Sequence, residues 1–95
     1  MDVMVEETDE VRARIKQIIA NVAGIDLQRI PDGATLRDDL NLDSLSLLEI
    51  GVDVDLAFQL ELPDESYKDV DSLPAMVDLV RRRQAELAAR QEALG

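Results

Sequence analysis

Cysteine, histidine and tryptophan are all missing from these 95 residues, and one Phe and one Tyr are the only aromatics. Without cysteine there is no disulfide framework and no thiolate metal site. Without histidine the commonest acid/base group and zinc ligand is gone, so triad and zinc chemistry are excluded. No acid/base pair stands out from the scattered carboxylates, which argues against an enzyme. No uninterrupted apolar run approaches membrane-spanning length, and the acidic start, Met1 to Glu10, is the opposite of a basic secretory leader. These absences predict a soluble, cytoplasmic chain, and the separate expectation for its assembly is a monomer. The length suits one small domain, near the size where a single apolar core is just sufficient. Its hydrophobic fraction of 46% comes mainly from Leu, Ile, Val and Ala, which builds an adequate but soft core.

Basic residues are scarce where they would matter most. The formal net charge is −11, and between Asp32 and Asp71 twelve acidic residues face only Arg37 and Lys68, a net −10. From Arg81 to Gly95 four arginines against two glutamates give +2. Such a surface repels nucleic acid and anionic lipid but steers toward basic protein patches. Acid that merely aids solubility accounts for the charge equally simply.

Periodicity predicts four helical segments and an all-α fold. Val11, Ile15, Ile18, Ile19 and Val22 share one face of a first helix, with Thr8 or Asp9 as cap and Gly24 as stop. Residues 25 to 42 form a long connection broken by Pro31-Asp32-Gly33, in which Leu27, Ile30, Leu36 and Leu40 are spaced as anchors of an ordered loop. The second helix runs from Ser44 to about Leu60. Its Leu47, Ile50, Val54 and Phe58 can face the core, while Leu45, Leu48 and Val52 form another stripe that is either buried or available to a partner. Gly51 inside this helix costs about 1 kcal/mol relative to Ala, with no compensation visible in the sequence. Pro63 to Val70 reads as a short third helix capped by Asp64. Ser72 caps the last, with Pro74 in its first turn and Leu73, Val77 and Val80 facing inward. The pattern continues through Gln84, Leu87 and Leu94, so 1–80 reads as the domain and 81–95 as a helical extension or frayed tail. The extension is a docking helix, a dimer seam or a solvated tail.

One segment is set up for chemistry. Asp43 is a good N-cap, which places Ser44 in the first helical turn, where backbone N–H groups lack partners and the macrodipole is positive. A hydroxyl there can carry a phosphate whose charge the helix end stabilises. An Asp-Ser pair before an apolar run is also an ordinary helix start.

The surrounding residues narrow the choice. From Val11 to Val80 the chain resembles the acyl carrier protein family. The resemblance is carried by Ile15-Lys16-Gln17-Ile18-Ile19, Gly24-Ile25, Ala34-Thr35-Leu36, Asp38-Asp39-Leu40, Leu42-Asp43-Ser44-Leu45, Glu49, Phe58, Leu62-Pro63-Asp64, Val70 and Ser72-Leu73. It implies a four-helix bundle with a long ordered loop between the first two helices and a short third helix. It also implies that Ser44 carries phosphopantetheine, taken from coenzyme A by a phosphopantetheinyl transferase. The function implied is non-catalytic: acyl groups presented as thioesters to a loading enzyme, ketosynthase or acyltransferase. The resemblance places Asp43, Leu45, Leu48, Glu49, Val52 and Asp55 at the partner-facing surface. A cleft between the second and third helices resembles the family site that shelters an acyl chain, though the same residues serve equally as core. Ser46, Leu56 and Ala57 stand where fatty-acid-synthesis members carry acid, which turns the expectation toward polyketide or related secondary metabolism. Leu42-Asp43 replaces the glycine-rich lead-in of peptidyl carriers. A peptidyl or aminoacyl carrier, a carrier of fatty acid synthesis and an unmodified acidic adaptor are the remaining alternatives.

Overall fold

Three α-helices carry the fold in a computed structural model that describes residues 3–94: α1 (Val3–Ala23), α2 (Ser44–Phe58) and α3 (Leu73–Leu94). Met1, Asp2 and Gly95 lie outside the described residues, as do the side chains of 3–9 and 92–94, Leu94 among them. Single 3₁₀ turns at Leu27–Arg29 and Asp64–Tyr67 complete the all-helical architecture. The short third helix anticipated from sequence is therefore one 3₁₀ turn, entered from Pro63 with no side-chain cap; Asp64 lies inside it rather than capping it. Four residues offer too few i→i−4 bonds to hold an α-helix.

The helix α1 begins at Val3, so Thr8 and Asp9 fall within it and neither caps it. Its exit is as anticipated. Gly24 adopts φ +68°, a conformation that side chains resist, and donates to the Ala20 carbonyl at 2.9 Å. Val11, Ile15, Ile18, Ile19 and Ala20 are buried; Val22 is half-buried at the edge. This stripe packs against both α2 and α3.

The connection between α1 and α2 is ordered by anchors and by its own hydrogen bonds. Ile30, Ala34, Leu36, Leu40 and Leu42 are buried, whereas Leu27 is 41% exposed and does not anchor. Asp26 draws the chain into its first turn by accepting from Gln28 N, which turns Leu27 outward. Thr35 and Asp39 exchange two bonds, Thr35 N to Asp39 Oδ2 at 3.0 Å and Asp39 N to Thr35 Oγ1 at 2.9 Å. Leu36 N donates to Asp71 O at 2.9 Å and Leu73 N to Ala34 O at 2.8 Å, an antiparallel bridge that fastens the loop to the start of α3. Lys16 pairs with Asp32 and holds the loop's outer part to α1.

At its far end α2 stops two residues earlier than periodicity suggests. Gln59 and Glu61 both take left-handed backbone, φ 53° and 55°, and the reversal between them drives Leu60 into the core with no exposed surface. Phe58 ends up only half-buried. Helix α3 starts as read: Ser72 Oγ accepts from Ala75 N at 3.2 Å, and Leu73, Met76, Val77 and Val80 are buried. Further along, Arg83 Nε donates to the Leu60 carbonyl at 2.8 Å, tying α3 to the exit of α2. The helix continues without a break to Leu94.

Leu60 thus takes the core position that periodicity assigns to Phe58. Truncating a fully buried leucine costs about 2–5 kcal/mol. Urea melts should show Leu60→Ala losing that much, and Phe58→Ala losing less than Leu60→Ala.

Candidate functional site

The site is assembled at the start of α2. Leu42 is buried, Asp43 is exposed, and Ser44 is the first helical residue with its side chain in solvent. Leu42 N donates to Leu36 O at 3.0 Å, so the buried part of the loop fixes where the helix begins. Asp43 caps that helix. Its Oδ1 accepts from Ser46 N at 2.8 Å and its carbonyl accepts from Leu47 N at 3.0 Å. The backbone N–H of Ser46, then its hydroxyl, hold the Asp43 carboxyl below its usual range. Asp43 thus fixes the helix end and frames Ser44 while remaining exposed.

Beside Ser44 lies a groove of about 410 Å³, lined by Arg37, Leu47, Leu48, Asp64, Tyr67 and Lys68. The only two basic residues of the acidic segment are thus brought together at the serine. Nothing in their spacing, thirty-one positions apart, announces this. Tyr67 floors the groove. Its hydroxyl donates to Asp55 Oδ1 at 2.8 Å, and burial together with that carboxylate pushes the phenol above its usual range. The same Asp55 oxygen accepts from Leu62 N at 3.0 Å.

The apolar stripe of α2 faces outward. Leu45, Leu48 and Val52 are 65%, 51% and 43% exposed, which removes the alternative that they belong to the core. Leu56, absent from the anticipated set, extends the stripe at 71% exposed. Glu49 is exposed among them. Asp55, expected among the recognition residues, is half-buried, and its carboxylate accepts from Tyr67 and Leu62. Gly51 was the legible clue to this interior. It is buried against Tyr67, and that packing is the compensation its helix position lacked. Among the described residues no His, Cys, Asp and Glu grouping could hold a metal ion, and no helix is long and apolar enough to cross a membrane.

Comparison with known proteins fits this geometry. Residues 13–80 match the family described as "Phosphopantetheine attachment site". An acyl carrier protein of Rubrobacter xylanophilus is 32% identical over 78 residues, covering 82% of this chain and 96% of the relative. A non-reducing polyketide synthase, dbaI, of Emericella nidulans is 32% identical over 73 residues, 77% of this chain but 3% of that protein. The solution structure of the apo doublet acyl carrier protein from prodigiosin biosynthesis superposes with TM-score 0.71 at 26% identity, over 80% of this chain and 37% of that one.

The cap has a pH signature. A carboxyl whose folded value lies below the ordinary 3.8 adds stability at higher pH, and that stability is lost as pH falls through the folded value. Asp43→Ala should therefore melt below the parent at neutral pH, and circular-dichroism melts should show the gap narrowing as the pH drops below 3.8. Asp43→Asn, which caps without titrating there, should lack this narrowing.

Proposed function

The chain belongs to the acyl carrier protein family, and we propose that Ser44 is its attachment point and that it serves polyketide or related secondary metabolism. As a family member the chain is a non-catalytic carrier whose prosthetic group is covalently attached phosphopantetheine, and its role implies partner enzymes such as ketosynthases. The observation that carries the assignment of Ser44 is its exposure. The chain has four serines, and Ser46, Ser66 and Ser72 are each half-buried, whereas Ser44 stands in solvent on a capped helix end within the matched segment.

The residues at the site suit the group. A phosphodiester on Ser44 would meet the free N–H groups of the first turn of α2, with Arg37 and Lys68 bordering the adjacent groove. When bound, the arm supplies a terminal thiol that carries acyl groups as thioesters. The chain's own contribution is placement. Asp43 fixes the helix end, the buried Leu42 fixes its register, and tethering raises the effective concentration of cargo at each enzyme. A phosphopantetheinyl transferase joins the arm from coenzyme A. An acyl-loading enzyme, ketosynthase or acyltransferase then docks on Leu45, Leu48, Val52 and Leu56, with Glu49 steering the approach. The carrier acts as a cytoplasmic monomer, its working unit ends near Val80, and 81–95 extend α3. Secondary metabolism is favoured by the polyketide and prodigiosin relatives and by Leu56, an apolar residue where the acidic family pattern is thinned.

Two experiments test the reading. Ser44→Ala should keep the parent's helix content and gain no mass on incubation with coenzyme A and a transferase; full modification of that variant, or of another serine in the parent, sinks the assignment. In stopped-flow binding to a loading enzyme, Glu49→Lys should slow association and weaken its salt dependence, while Val52→Asp should chiefly speed dissociation by placing a charge in a desolvated patch. Parent-like kinetics for both variants at every ionic strength would remove α2 from recognition.

A further inference from the structure

Inside α2, on the side turned toward the 3₁₀ turn at Asp64–Tyr67, the one residue without a side chain is covered by the one tyrosine. A Cβ built on Gly51 would lie 3.1 Å from Tyr67 Cγ, 3.3 Å from its Cβ and 3.4 Å from its Cδ2. The ring thus sits directly on the helix backbone. Its far end is fastened by the 2.8 Å bond from the hydroxyl to Asp55, whose same oxygen binds Leu62 N and so ties in the segment leading to the turn. Ile50, Val54 and Leu60, all fully buried, lie on the core side of this arrangement, and none of them lines the groove beside Ser44. Tyr67 lines the groove together with Leu47, Leu48 and the charged side chains of Arg37, Asp64 and Lys68.

We propose that Tyr67, seated on Gly51 and latched to Asp55, is a plug that keeps aliphatic acyl chains out of the core and leaves the cargo in the groove bordered by Arg37, Asp64 and Lys68. The inference rests on Ser44 as the attachment point. Entry of a chain between α2 and the 3₁₀ turn requires the ring to leave Gly51, break its bond to Asp55 and expose a buried aromatic face. A long saturated chain gains with every methylene it buries, so chain length is the variable that would expose an open path. Cargo of this carrier is accordingly presented at the surface, where a long saturated chain finds no buried site.

The test loads the full chain, by transferase and acyl-coenzyme A, with butyryl or decanoyl cargo, and follows methyl signals of Ile50 and Val54 together with the amide signal of Lys68 by NMR. Intact mass and fragmentation first locate the arm. In the parent, Ile50 and Val54 should give the same shifts for both cargoes, with decanoyl-dependent changes confined to groove residues such as Leu48 and Lys68. In Tyr67→Ala, decanoyl should move the Ile50 and Val54 methyls while butyryl does not, and hydroxylamine should cleave the decanoyl thioester about tenfold more slowly than in the parent, the shift that about two buried methylenes produce. Tyr67→Phe keeps the ring on Gly51 but loses the bond to Asp55, and should open to decanoyl more than the parent and less than Tyr67→Ala. A parent whose Ile50 and Val54 methyls already move with decanoyl overturns the plug, and this comparison stands even if Tyr67→Ala does not fold. A Phe variant as open as the Ala variant also overturns it. A chain that takes no arm, or takes it elsewhere than Ser44, overturns both the site assignment and this inference, whereas a chain loaded on Ser44 with an open core overturns the inference alone.

Discussion

Two backbone hydrogen bonds, Leu36 N to Asp71 O and Leu73 N to Ala34 O, join the middle of the long loop to the start of α3, and the position of the site follows from them. They hold Ala34 and Leu36 at full burial, and Leu36 in turn accepts from Leu42. From Leu42 to Ser44 the chain passes from core to solvent in two residues. A loop that long, held only at its ends, would sample many conformations and blur the register of the helix it feeds. Pinned at Ile30, Ala34, Leu36, Leu40 and Leu42, it delivers Asp43 to one place, and Asp43 then caps α2 so that Ser44 points outward.

What periodicity reports well is any helix long enough to repeat. The buried face of α1, the inward residues Leu73, Val77 and Val80 of α3 and the Asp43 cap all lie in such stretches. What it misses lies where the chain reverses. Leu60 is buried and Phe58 half-buried because Gln59 and Glu61 adopt positive φ without being glycine, a turn with no composition signal. Leu27 is spaced like an anchor, but an Asp26-capped turn intervenes and rotates it outward. The third helix failed for the same reason of scale, since four residues carry no period. Met76, absent from the inward set read from spacing, is more deeply buried than Val77.

The candidate site shows a similar division. Ser44 is legible because a cap, a hydroxyl and an apolar run are contiguous in the chain. The exposed stripe at Leu45, Leu48 and Val52 is legible only as a pattern, since spacing gives a helix two faces and does not say which one the rest of the chain covers. The groove is not legible at all. Arg37, Ser44, Asp64, Tyr67 and Lys68 come from the loop, from α2 and from the 3₁₀ turn, and they meet only through the packing of those elements. A lone glycine inside α2 was the trace this left in the sequence, because a close approach by another residue explains a missing side chain that helix propensity disfavours.

Asp55 links the recognition face to the interior. It lies on the same helix as Leu48, Glu49 and Val52, yet its carboxylate turns inward to accept from Tyr67 and Leu62. The acid exposed on this face is therefore Glu49 and Asp53, set among four exposed apolar residues, Leu45, Leu48, Val52 and Leu56. At physiological ionic strength charges more than about 8 Å apart are largely screened, so Glu49 acts as a partner comes close. It acts there as part of the summed −10 of the acidic segment, which is a field more than a single contact. Approach and residence are thereby assigned to different features, the field bringing a basic partner in and the leucine stripe holding it.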